Sequence, residues 1–292
     1  MGTTMIVKSY FSGGGLFDIG FNLAGIEIAE SFELDETCCK VQQKNFTHKV
    51  TCVDLKQKLV VSDLETDVMI FTYPCTRYST ISDIHGTRTG DELFLHAFRH
   101  MAIALPEVFI IENVPGMKAF PVVMEAMTRL PGYYVTTFCP IKTENWLPQR
   151  RDRLIIIGSK KIFNWREPSK VTPVKLRDII EKDPDVTLPK AILHRMKGMY
   201  RDLPIISDPS KNDIAPTVVA HYAKDKSTRL LTDKKYPIGV RPYSVREFAR
   251  LQGVPDSFEF ICSDTAAYRM IGNGVSVPVG IWAGKELKRY FA

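Results

Sequence analysis

Residues 5–20 read MIVKSYFSGGGLFDIG: an apolar strand, a turn of small residues, and the start of a helix. Gly13, Gly14 and Gly15 permit a tight strand-to-helix turn and let a ligand approach the backbone closely. Outward from this stretch the alternation repeats. Short apolar runs occur at IEIAESFE (26–33), TCVDL (51–55), VMIFTYP (68–74), EVFIIENV (107–114), YYVTTFCPI (133–141) and RLIIIG (153–158). Between them lie segments with helical spacing, among them LFLHAFRHMAIAL (93–105) and VVMEAMTRL (122–130). VMIFTY, VFIIEN and RLIIIG are apolar without alternation, the signature of strands covered on both faces. The pattern predicts an α/β fold with a doubly wound, mostly parallel sheet.

From about residue 161 to 212 that rhythm gives way to Pro-rich, charged sequence with only short helical stretches, which predicts a small inserted domain. Order returns with SVREFARLQG (244–253), where Ser244 and Glu247 have capping-box spacing, and with GVSVPVGIWAGKELKRY (274–290), a second helix. The 292 residues, 45% hydrophobic, suffice for one large domain and a small one. No apolar run approaches the roughly 18 residues that a membrane span needs, and the start lacks a signal-peptide pattern, so a cytoplasmic enzyme is expected. The six cysteines form no CxxC pair and no His/Cys cluster at zinc spacing. Reduced thiols and no metal are expected.

The net charge of +6 is unevenly placed: residues 160–240 carry 17 of the 39 Lys and Arg but 10 of the 33 Asp and Glu. Such a segment suits a polyanionic partner, although a solvated basic face has the same composition.

Several residues carry chemistry by position. Glu33 and Asp54 close the two apolar runs that follow the Gly-rich turn, where a carboxylate accepts hydrogen bonds from ribose hydroxyls or an adenine amine; a nucleoside cofactor is implied, a dinucleotide included. VMIFTY delivers Pro74-Cys75 into a polar loop, Thr76 to Thr80, at the carboxyl end of the sheet. Arg77 there favours a thiolate, the nucleophilic form, although a lone cysteine is equally compatible with an inert packed residue. VFIIEN ends in Glu112-Asn113-Val114, placing a carboxylate on a neighbouring strand end, suited either to a substrate ring nitrogen or to a local cap. Gln149-Arg150-Arg151-Asp152-Arg153 opens the LIIIG strand with guanidinium groups that can bind a phosphate or a polar substrate edge.

In order and spacing these motifs resemble those of the cytosine-C5 DNA methyltransferases. The resemblance rests on the Phe-x-Gly-x-Gly turn from Phe11, Pro74-Cys75, Glu112-Asn113-Val114, the Gln-x-Arg-x-Arg run from Gln149, Arg241 to Gly253 (RPYSVREFARLQG) and Ile271 to Val275 (IGNGV). It covers both ends of the chain and leaves out roughly 161–212. It implies a Rossmann-like class I methyltransferase domain, formed by 1–160 and 241–292, that binds S-adenosylmethionine, and a small basic target-recognition region at 161–240. Cys75 would add to C6 of cytosine, Glu112 would contact N3 and the exocyclic amine, Arg151 would hold O2, and Arg153 would support that site. Phe11, Gly13, Gly15, Glu33, Asp54, Leu55, Pro74, Leu93, Asn273 and Val275 would line the cofactor site. Because C6 is shielded in a stacked duplex, the base would flip out.

Thr76, Arg77 and Ser79, together with Arg166, Lys175 and Arg195 of the basic segment, are the expected nucleic-acid contacts, with Trp165 beside them. The implied partners are double-stranded DNA and a cognate restriction endonuclease, and a monomer is the simplest form. Thr76 departs from the family's usual Gln, Leu16 from a frequent Gly, and Gly274 from a common Ser. A tRNA methyltransferase is the alternative within the family, but no Cys-Phe-Thr signature occurs. A non-catalytic nucleic-acid-binding relative is the alternative outside enzymology. A nicotinamide dehydrogenase is disfavoured by the absence of GxGxxG.

Overall fold

The computed structural model describes residues 5–57, 66–74, 93–192 and 205–292; Cys75, Thr76, Arg77, Ser79 and Arg195 lie outside the described residues. The chain forms two compact units. One comprises Met1–Ile141, Asp152–Pro168 and Val279–Ala292, the other Lys142–Arg151 and Ser169–Pro278.

The first unit is built on a seven-stranded sheet of β1 (Val7–Tyr10), β2 (Glu30–Glu33), β3 (Lys49–Cys52), β4 (Val68–Phe71), β5 (Val108–Asn113), β6 (Tyr134–Lys142) and β7 (Asp152–Ser159), in the order β3-β2-β1-β4-β5-β7-β6. β1 to β5 pair in parallel and β7 runs antiparallel to β5. The sheet is thus mostly parallel, as its apolar runs predict. β1, β4 and β5 are buried along their whole length, whereas β3 at one edge has no buried residue and β6 at the other buries only Phe138 and Ile141. Tyr10 stacks between Phe32 and Phe71 at ring separations of 4.8 and 5.0 Å, tying three central strands together. Gly158 lets β7 pass over Phe109; a Cβ there would lie 2.1 Å from the ring.

Strand order reverses between β1 and β4, and in open α/β sheets the loops leaving such a pair bound the ligand crevice. The Gly-rich turn leaves β1 and leads into helix α1 (Leu16–Leu23); Thr72 to Pro74 leave β4. Helix α2 (Glu36–Asn45), capped by the Asp35 carboxylate, connects β2 to β3.

The second unit holds a three-stranded sheet of β8 (Ile205–Ser207), β9 (Arg229–Thr232) and β10 (Val240–Pro242). It also contains a helix at Val245–Arg250 and another at Asp264–Asn273. The capping box at Ser244 and Glu247 forms as its spacing predicts. Tyr222 stacks on Phe248 with ring centroids 4.7 Å apart, and Tyr268 meets both rings edge-on. Residues 241–278, grouped by motif with the cofactor domain, pack into this unit, whereas 161–168 pack into the first. Trp165 shows why: it is buried and stacks on Tyr290, so it is a core residue rather than a surface contact for nucleic acid.

Candidate active site

The loop after β1 has an unusual backbone. Phe11, Gly13 and Gly15 all adopt positive φ, at 59°, 56° and 76°. Gly15 also packs against α2, since a Cβ there would meet the Phe46 ring at 2.5 Å, whereas a Cβ on Gly13 would meet nothing within 4 Å. Gly13 therefore has open space beside it. The Glu33 carboxylate accepts the Gly13 N–H at 2.7 Å and the Asp35 N–H at 2.9 Å, one on each oxygen. Each oxygen keeps a second lone pair for a further donor. Asp54 lies at the end of β3, where one carboxylate oxygen accepts the Lys56 N–H at 2.9 Å. Leu55 is buried and Leu93 packs against the same core cluster.

The β4 exit is fastened to both neighbours. Thr72 donates its N–H to the Tyr10 carbonyl at 3.1 Å and its hydroxyl to the Phe11 carbonyl at 2.9 Å. From the other side the buried Asn113 amide donates to the Tyr73 carbonyl at 3.3 Å, and its own carbonyl accepts the Val114 N–H at 2.9 Å. Pro74, exposed, follows directly. Asn113 thus ties the end of β5 to the segment that leaves β4. Sequence reasoning gave weight to Glu112 and passed over its neighbour; the signal was a polar amide ending an otherwise apolar strand.

Glu112, near the end of β5, meets Arg153, near the start of antiparallel β7, with Arg153 Nε 2.8 Å from the carboxylate. The pair sits at the carboxyl end of the parallel strands, and its side chains are 9% and 11% exposed. Arg153 also donates to the Asp152 carbonyl at 2.7 Å, which fixes the guanidinium plane.

Arg151 has a different setting. It belongs to the second unit, is 2% exposed, and donates to the carbonyls of Val218 (3.0 Å), Gly272 (3.0 Å) and Gly274 (2.7 Å). Gln149 joins the same network, donating to the Leu251 carbonyl and accepting the Val218 N–H. Gln252 donates to the carbonyls of Ile271 and Gly274 and accepts from the Ser276 hydroxyl. The Gln149–Arg151 run, the end of the 241–253 motif and the IGNGV turn therefore meet in one buried clasp. Arg241 forms a second, with both guanidinium edges engaged: 2.8 Å to Asp233, and 2.7 Å to each oxygen of Glu247. Within the second unit Asn273 is exposed and Val275 buried.

The model of the C-5 cytosine-specific DNA methylases matches residues 5–289. The chain belongs to that family. A Type II methyltransferase, M.NlaX of Neisseria lactamica, is 28% identical, aligned over 92% of this chain and 91% of its own length. Among solved structures, the methyltransferase EhMeth of Entamoeba histolytica superposes with a TM-score of 0.82 at 16% identity, covering 100% of both chains. The Dnmt2 methyltransferase of S. pombe gives 0.79 at 19% identity, covering 98% of this chain and 99% of its own. These two likenesses establish the fold. Family membership makes the chain a DNA cytosine-5-methyltransferase.

Of the residues of this methylase expected to touch nucleic acid, Arg166 and Lys175 are exposed, whereas Trp165 is buried. Arg166 lies in the first unit, with its backbone held by Glu286 and Trp282 and its side chain outward. Lys175 lies in the second, just before a short helical turn. Among the described residues no helix is long and apolar enough to cross a membrane.

Proposed function

We propose that this methylase acts on duplex DNA, transferring a methyl group from S-adenosylmethionine to C5 of a flipped cytosine through a covalent bond between Cys75 and C6. The observation that supports it most is the crevice end of the first unit, where the Gly-rich loop, the Pro74 exit and the Glu112–Arg153 pair share the carboxyl edge of β1, β4 and β5.

The cofactor fits the residues present. Open space at Gly13 admits a ligand against the backbone, and the spare lone pairs of Glu33 suit ribose hydroxyls. Asp54 and Leu55 would meet the adenine, and Phe11, Gly15, Pro74 and Leu93 would line the rest of the first unit's site; the family resemblance also gives Asn273 and Val275 to the cofactor. S-adenosylmethionine, when bound, supplies an electrophilic methyl group.

Cys75, as thiolate, forms a bond to C6, and the electron pair of the C5–C6 double bond moves toward C5. Glu112 steadies the N3 and amine edge of the ring while that charge develops. Once C5 is methylated, loss of its proton expels the Cys75 thiolate and restores the aromatic ring. The family resemblance implies that Arg151 holds O2. Because Arg151 is engaged by three backbone carbonyls and Arg153 stands beside Glu112, we assign the O2 edge to Arg153 and a scaffolding role to Arg151. Thr76, Arg77, Ser79, Arg166, Lys175 and Arg195 would contact the DNA, the base leaving the stack at a cost of a few kcal/mol. The second unit would carry target recognition. The enzyme would act as a monomer, with a cognate restriction endonuclease as its partner.

Tritiated methyl transfer from S-adenosylmethionine to duplex DNA and to tRNA tests this. Label in duplex DNA, recovered as 5-methylcytosine and abolished by Cys75→Ser, is the expected result. Label in tRNA alone, or undiminished label with Cys75→Ser, would overturn it.

A further inference from the structure

From the Gly-rich loop to α2 and β2 runs a hydrogen-bonded chain whose direction is set at every link. Gln42 of α2 is fully buried, on the same face as Cys38 and Val41. Its amide nitrogen donates to the Gly13 carbonyl at 2.7 Å and to the Ser12 hydroxyl oxygen at 2.9 Å. Two donations use both amide hydrogens, so its carbonyl oxygen must face the remaining neighbour. That neighbour is the Ser31 hydroxyl, which donates at 2.7 Å.

Ser31 has then committed its only hydrogen. The contact between Ser31 Oγ and His48 Nε2 at 3.2 Å must be a donation from the imidazole. Burial pushes the His48 ring down to about 4, so it is neutral near pH 7 and carries its proton on Nε2. On the other side of the loop, Ser12 passes its hydroxyl hydrogen to the Phe32 carbonyl at 3.3 Å. None of these donors has a free choice of acceptor.

The chain ends on the peptide groups that would face the cofactor. Gly13 is gripped twice: Glu33 takes its N–H and Gln42 supports its carbonyl. One turn along α2, Phe46 fills the space a side chain on Gly15 would need, and His48 stacks on Phe46 with ring centroids 4.8 Å apart. Phe11, a non-glycine residue at φ 59°, holds that backbone only where its surroundings over-determine it.

We propose that Gln42 is the positioning residue of the cofactor loop: through Ser12 and Gly13 it presets the loop for S-adenosylmethionine without touching the ligand. This rests on the cofactor reading above. A loop set before binding leaves less ordering to be done by the ligand, so losing Gln42 weakens cofactor affinity and leaves the chemical step intact.

Full-length enzyme serves for the test, with S-adenosylmethionine affinity by calorimetry and steady-state kinetics on duplex DNA. Gln42→Ala should raise the Kd and KM for S-adenosylmethionine by about 10-fold, the loss of one or two buried hydrogen bonds. Its kcat at saturating cofactor and its KM for DNA should stay within about 2-fold of wild type. Gln42→Met keeps the length but removes both donors, and should weaken the cofactor as much. Ser31→Ala removes only the acceptor-side partner and should fall between. A variant with wild-type cofactor affinity, or with kcat lowered and affinity unchanged, overturns the inference while leaving the cofactor reading in place. Wild-type enzyme that binds no S-adenosylmethionine overturns both.

Discussion

Arg151 and Arg153 belong to one five-residue motif, yet they enter different units and meet different partners. Arg153 pairs with the carboxylate of Glu112 at the end of the parallel strands. Arg151 is enclosed, its donors directed at the carbonyls of Val218, Gly272 and Gly274. The same contrast separates the regions around them. In the first unit, motif residues surround a loop with open space at Gly13 and a carboxylate, Glu33, with capacity left over. In the second unit, the polar motif residues Gln149, Arg241, Glu247 and Gln252 are buried and engaged with one another or with backbone. A recurring motif therefore marks either chemistry or the clasp that shapes a unit, and burial together with partner type separates the two.

The largest effect that would break this comparison is on catalysis. Glu112→Gln keeps the size and one hydrogen-bonding oxygen but removes the charge; methyl transfer should fall by about 10²–10⁴-fold while the enzyme stays folded, read by single-turnover kinetics and circular dichroism. Near-normal turnover would remove the first unit's pair from the mechanism. In the second unit, Arg241→Ala leaves Glu247 and Asp233 without their cation and should cost about 3–5 kcal/mol of stability in denaturant melts. Little loss there would mean that the clasp is not what holds the motif.

Exchanging each arginine for lysine sharpens the contrast. Arg151→Lys gives up part of a three-carbonyl fork and should lower stability by about 1–3 kcal/mol, with turnover per folded molecule close to wild type. Arg153→Lys should do the reverse, lowering kcat more than stability. If both variants lose kcat alike, the two roles are not separate.

Legibility from sequence divides along the same line. The strands at the centre of the sheet were plain because uninterrupted apolar runs have few other uses, and the capping box at Ser244 declared its helix. Glu33 and Glu112 stood out as candidates because each is a carboxylate ending an apolar strand, and the structure places them at the ends of β2 and β5. The partners of Arg151 were not legible by pattern alone: nothing local distinguishes a guanidinium aimed at a substrate from one aimed at carbonyls at positions 218, 272 and 274. The affinity of 241–278 for the second unit was hidden for a similar reason, since it depends on long-range contacts such as Tyr222 with Phe248. Gln42 was overlooked because a glutamine within a polar helix looks solvated until its turn is known to face inward.

The smallest effect concerns a closed polar group within the first unit. Asp18, just past the Gly-rich turn, is fully buried; burial raises its carboxyl to about 7, and the Ser9 hydroxyl hydrogen bond at 2.7 Å offsets only part of that. The unfolded chain releases this proton near the ordinary carboxyl value of 3.8, the folded chain near 7, so the folded state binds more protons between them. Stability should therefore fall as pH rises through that window and level off above it. Asp18→Asn should flatten the slope and raise the melting temperature at pH 8 by a few degrees; an unchanged slope would place the titration elsewhere.

The most direct test of the central claim, that the reacting groups sit at the crevice end of the first unit, is covalent trapping. Enzyme and S-adenosylmethionine would be incubated with a pool of random-sequence duplexes carrying 5-fluorocytosine, in which the C5 substituent cannot leave as a proton. Intact mass and peptide mapping should show one adduct, on Cys75, absent from Cys75→Ser and still formed by Arg151→Lys. An adduct on another residue, or none with any duplex in the pool, would contradict the account.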